Sequence, residues 1–84
     1  MRSWYITFRS VTTAQRGESV LRRSGIDCVL QRTPRWMEER GCGYCLLLRQ
    51  REVAGAVKLL KSNGVMLSKV YRQLENGRVE EAEL

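Results

Sequence analysis

The residues best suited to chemistry lie in one short stretch, Gly41-Cys42-Gly43-Tyr44-Cys45, preceded by Thr33-Pro34-Arg35. Cys42 stands between two glycines, a setting that leaves a thiol accessible and lets the backbone approach a ligand closely. The thiolate is the reactive form of cysteine, and nearby positive charge favours it by lowering the thiol pKa. Arg35 and Arg40 are the natural local cations. On composition alone, Cys42 reads equally well as a reactive thiol and as an incidental loop cysteine. Helix dipoles are expected to add little, with both helix N-termini expected at the end of the sheet opposite this loop.

Cys42 and Cys45 also spell C-x-x-C. A thioredoxin-like site needs the first cysteine at a helix N-terminus after a strand, whereas this pair leads into a strand. If Tyr44 has strand geometry, the two side chains point to roughly opposite sides unless a bulge intervenes. A disulfide is therefore disfavoured, and Cys45 reads as core. Cys28 lies early in the second expected strand and reads as packing. The chain has three cysteines and no histidine. That excludes Ser-His-Asp and Cys-His nucleophile pairs, and a zinc site would have to add a carboxylate to all three cysteines. No metal or other cofactor is expected.

The elements that must position this loop follow from periodicity. Residues 4–9 (WYITFR) alternate as a strand, Ser10, Thr12 and Thr13 are candidate N-caps, and Thr12 with Gln15 fits a capping box opening a helix over about 13–23. Ala14, Gly17 and Leu21 face inward in that helix, with Gly17 permitting close approach and Gly25 stopping it. Residues 26–32 form a second strand ended by Thr33-Pro34, and residues 34–43 a long connection. Residues 44–49 (YCLLLR) read as a central strand buried on both faces. A second helix opens at Arg51 or Glu52, with Val53, Ala56, Val57 and Leu60 at i, i+3, i+4, i+7, and stops at Asn63-Gly64. Residues 65–71 form a fourth strand, after which Asn76-Gly77 signals a turn and a marginal terminal hairpin.

LRRSGIDCVL (21–30) and LKSNGVMLSKV (60–70) echo one another as helix end, glycine stop and apolar strand. The order β-α-β-β-α-β with this echo predicts an α+β, ferredoxin-like two-layer sandwich with both helices on one face. The alternative is an open α/β sheet to which the tail adds a fifth strand. Residues 1–71 are expected to form one domain, and residues 72–84 an acidic tail or short hairpin strand.

Composition bounds the rest. At 84 residues, 43% hydrophobic and one proline, the chain is expected to fold as one small domain without a large cleft. With no disulfide or metal to staple it, a homodimer is a fair expectation. No membrane span or signal peptide is evident, so a cytoplasmic location is expected. The net charge of +6 is uneven: residues 1–71 carry thirteen basic and five acidic side chains, residues 72–84 two and four. Weak, salt-sensitive polyanion binding is expected of the basic part.

The order of YITFRS (5–10), AQRGESVLRRSGI (14–26), TPR (33–35) and CG (42–43) resembles a bacterial family of short proteins described as selenium/sulfur carrier-like. The similarity spans about residues 4–71. It implies a cysteine that transiently holds sulfur or selenium as a persulfide or selenopersulfide. By position that residue is Cys42, with Thr33, Pro34, Arg35 and Gly43 as its motif companions. The chain departs from the family pattern in having Glu38-Glu39-Arg40-Gly41 where serines are usual, and Phe8-Arg9-Ser10 where a histidine is common. The resemblance points to a thiol carrier with no turnover of its own, served by a sulfur-handling partner such as a cysteine desulfurase.

Two other readings compete. Trp4, Tyr5, Phe8 and Tyr44 on central strands are similar to the stacking platform of RNA-recognition sheets, although YCLLLRQ lacks that platform's aromatic and glycine pattern. Alternatively the basic body docks an acidic protein partner, with Trp36-Met37 as an apolar anchor or else folded over the open face of the sheet.

Overall fold

Hydrogen-bond capping decides where the elements begin and end in this chain. The structure, a computed structural model, describes residues 3–33, 43–74 and 76–82. After strand β1 (Ser3–Thr7), helix α1 (Val11–Arg23) starts two residues earlier than its capping-box signal indicates. Ser10 is the cap: its Oγ accepts the Thr13 N–H at 3.1 Å and its carbonyl accepts the Ala14 N–H at 3.0 Å. Serine is a stronger N-cap than threonine, which is why Ser10 takes the position.

The two halves repeat the same helix stop. In α1 the Gly25 N–H donates to the Arg22 carbonyl and the Ile26 N–H to Leu21. In α2 (Gln50–Ser62) the Gly64 N–H donates to Lys61 and the Val65 N–H to Leu60. This Schellman pattern consumes the N–H groups of Ile26 and Val65. Strands β2 (Val29–Arg32) and β4 (Val70–Gln73) begin later than the apolar runs predict, the helix stops accounting for Ile26 and Val65. Strand β3 (Tyr44–Arg49) spans the residues expected of it.

The sheet order is β2-β3-β1-β4-β5, with every neighbouring pair antiparallel. The α+β two-layer arrangement is compatible with the ferredoxin-like sandwich. Strand β5 (Val79–Ala82) extends it, pairing with β4 so that the tail is a fifth strand. The turn before β5 is closed by Leu74 N–H to the Arg78 carbonyl at 2.6 Å, and Asn76 Oδ1 accepts the Arg78 N–H at 3.0 Å. Glu80 pairs with Arg72, and Glu81 with Lys69 at 3.5 Å, so the acidic tail lies against basic residues of β4 and its approach. Strand β4 crosses the expected boundary between residues 71 and 72.

One face of the sheet carries both helices. Trp4, Ile6 and Phe8, Leu46 and Leu48, and Val70 meet Ala14, Val20 and Leu21 of α1 and Val53, Ala56, Val57 and Leu60 of α2. Phe8, Ile6, Leu21, Leu46 and Leu60 are fully buried, each stabilising the fold by roughly 1.5–3 kcal/mol. A Cβ on Gly17 would lie 3.1 Å from the Phe8 ring and 3.3 Å from Leu60 Cδ2, so the glycine sets how closely α1 seats.

Candidate functional site

Strand direction determines which groups surround the β2–β3 connection. Both β1 and β2 run antiparallel to β3, so they are parallel to each other and finish at the same end of the sheet. Helix α1 follows β1, and its N-terminus therefore lies at the end where the connection leaves β2. This corrects the expectation that both helix N-termini lie opposite the loop: only α2, which follows β3, begins at the far end. The partial positive charge of α1's first turn belongs to the loop end of the molecule. Arg9 and Arg32 add exposed cationic side chains there.

The connection springs from a clasp. The Thr33 N–H donates to the Gly43 carbonyl at 2.8 Å, extending the β2–β3 ladder one pair beyond Arg32↔Tyr44. Thr33 is buried, and Gly43 has φ +81°, a left-handed conformation that glycine adopts without penalty. The Arg32 guanidinium lies 5.6 Å from the centre of the Tyr44 ring, a cation–π distance. Beside the clasp, the buried Thr7 is fixed from both sides. Its N–H donates to the Lys69 carbonyl at 2.9 Å, its carbonyl accepts the Ser68 N–H at 2.7 Å, and its Oγ1 accepts the Lys69 N–H at 3.1 Å. The loop thus rises from a well-bonded sheet end.

Of the residues singled out in the sequence, Thr33, Gly43 and Cys45 are within this frame. Pro34, Arg35, Arg40, Gly41 and Cys42, together with Trp36-Met37, lie outside the described residues. Cys42 is joined to the clasp through a single peptide bond to Gly43. Cys45 is fully buried on the helix-free face in a small cluster with Tyr5, against which Leu47, Tyr71 and Val79 pack. Burial, and secondarily the neighbouring Cys45, pushes the Tyr5 hydroxyl pKa up. Cys28 precedes β2 and is buried in the main core, where desolvation raises its thiol pKa against the opposing pull of Arg22. Sequence reasoning missed Thr7 as a support of this sheet end, because only the pairing of β1 with β3 and its bonds to Ser68 and Lys69 bring it there.

The four aromatic residues do not form a common platform. Alternation along β1 and β3 sends Trp4, Phe8 and Tyr44 toward the helices, leaving Tyr5 on the open face with Tyr71. A stacking surface built from all four is therefore corrected by the pleat itself.

The fold is a two-layer α+β sandwich, and the sequence joining β2 to β3 contains the glycine-flanked Cys42. The family described as "Putative Se/S carrier protein-like" matches residues 3–72, and the chain belongs to it. No curated protein and no solved structure matches the chain significantly. Among the described residues, no helix is long and apolar enough to cross a membrane.

Proposed function

We propose that the protein is a carrier that holds sulfur, or selenium, on Cys42 for delivery to a partner enzyme. The family match over residues 3–72 carries this reading. The sheet end from which the connection leaves supports it, since the α1 N-terminus and the exposed Arg9 and Arg32 there favour an anion. In the loading step the Cys42 thiolate attacks the terminal sulfur of a donor persulfide. A new S–S bond forms on Cys42, the donor's S–S bond breaks, and the donor leaves as its thiolate, so no outside oxidant is needed. An acceptor nucleophile then takes the terminal sulfur and Cys42 departs as thiolate. Arg35 and Arg40 stabilise the anion, Thr33 and Pro34 set the start of the loop, and Gly41 and Gly43 allow close approach of the partner. Cys45 stays in the sheet as support. A cysteine desulfurase or another sulfur- or selenium-handling enzyme is the expected donor.

The test is to incubate the protein with glutathione persulfide, or with selenodiglutathione as a thiolate-reactive selenium donor, and locate the adduct by peptide mass spectrometry. Cleavage after Arg40 and Arg49 releases residues 41–49, in which fragmentation separates Cys42 from Cys45. An adduct on Cys42 supports the proposal. One confined to Cys28 or Cys45, or none with either donor, overturns it.

A further inference from the structure

At the opposite end of the sheet from the clasp, the start of β2, the end of β3 and the last turn of α1 enclose a groove of about 430 Å³. Its lining combines the apolar Val29 and Leu47 with Arg22, Arg49, Asp27 and Cys28. The two guanidinium groups outnumber the single carboxylate of the lining, Asp27, while Glu18 pairs with Arg22 from outside it; guanidinium groups pair with carboxylates through directed N–H donors, and aliphatic walls take up hydrocarbon.

Arg22 gives one Nη to the Cys28 carbonyl at 3.1 Å and to Glu18 at 3.3 Å and also interacts with the Cys28 thiol, which together hold the guanidinium at the groove. Arg49 lies on the far wall, exposed, and is the N-cap residue of α2 without making any side-chain cap bond. The amide groups of α2's first turn therefore begin at the rim uncapped by a side chain, in a turn that also carries Glu52, 3.9 Å from Arg51. Val29, on the edge strand β2, is 52% exposed and forms part of the wall. Burial, opposed by Arg22 and reinforced by Glu18 and Asp27, raises the Cys28 thiol pKa.

We infer that this groove is a binding site for a small organic carboxylate with a short aliphatic body, held by Arg22 and Arg49 against Val29 and Leu47. The inference is independent of the role of Cys42.

Amide NMR titration with n-butyrate tests it, with n-butanol, n-butylammonium and inorganic phosphate as controls. Saturable shifts at residues 27–29 and 47–49 are expected with butyrate and not with the alcohol or the amine. Arg22→Gln and Arg49→Gln should each weaken binding about tenfold, the loss of one charge-assisted hydrogen bond. Val29→Asp, an exposed change that leaves the core intact, should abolish it by repulsion. Absence of saturable shifts, equal response to butanol, binding of phosphate as tight as butyrate, or wild-type affinity in both arginine variants would overturn the assignment.

Discussion

Gly43 offers a direct way to perturb the base of the loop without touching a side chain. Its φ of +81° lies in the left-handed region, where an L-residue with a Cβ pays roughly 1–2 kcal/mol. If the chain relaxes instead, the 2.8 Å Thr33–Gly43 hydrogen bond is given up, at about 1 kcal/mol. Gly43→Ala should therefore lower stability by about 1–2 kcal/mol, or roughly 4–16 °C in Tm for a domain of this size. Gly55 in α2 supplies the opposite sign. A Cβ there meets nothing within 4 Å, so Gly55→Ala should raise stability by about 1 kcal/mol through helix propensity alone. Gly17→Ala falls between them, because the same propensity gain is offset by crowding against Phe8 and Leu60. Urea unfolding followed by circular dichroism, with thermal scans alongside, measures all three. A Gly43→Ala protein as stable as wild type, while Gly55→Ala is stabilised as expected, would refute the clasp geometry.

Removing the α1 cap by Ser10→Ala should cost about 1 kcal/mol, and Ser10→Asp should restore most of it, read as Tm in the same scans. Stability should decline in alkali. The folded pKa values of Cys28 and Tyr5 lie above their ordinary values, so the unfolded chain loses those protons first. Stability is full below the ordinary values and falls as pH rises through them, from near 9 for Cys28 and near 10 for Tyr5. Urea unfolding across that range should show the first part of the decline missing in Cys28→Ala; an unchanged profile would contradict it. The exposed Arg72–Glu80 cross-strand pair should give a coupling of about 0.2–1 kcal/mol in a double-mutant cycle, weakened by high salt.

Periodicity made the helices legible. Val53, Ala56, Val57 and Leu60 are the buried residues of α2, and Ala14, Gly17 and Leu21 are buried in α1. The continuous apolar run of β3 marked its central place. Strand starts were less legible, because Ile26 and Val65 look like strand residues while their N–H groups close the helix stops. At the site, glycine-flanked Cys42 and the TPR run were visible as residue types. The placement of α1's N-terminus beside the loop was not, since it depends on β1 and β2 being parallel across an intervening β3. The groove at Arg22 and Arg49 was also hidden, as its walls come from segments far apart in sequence.

The central claim, that Cys42 bears the transferred atom, is tested most directly by intact mass after exposure to glutathione persulfide. Wild type and Cys28→Ser should each gain the mass of one sulfur atom and lose it again to an acceptor thiol, and Cys42→Ser should gain nothing. If Cys42→Ser acquires the same adduct and passes it on at the wild-type rate, the account is wrong.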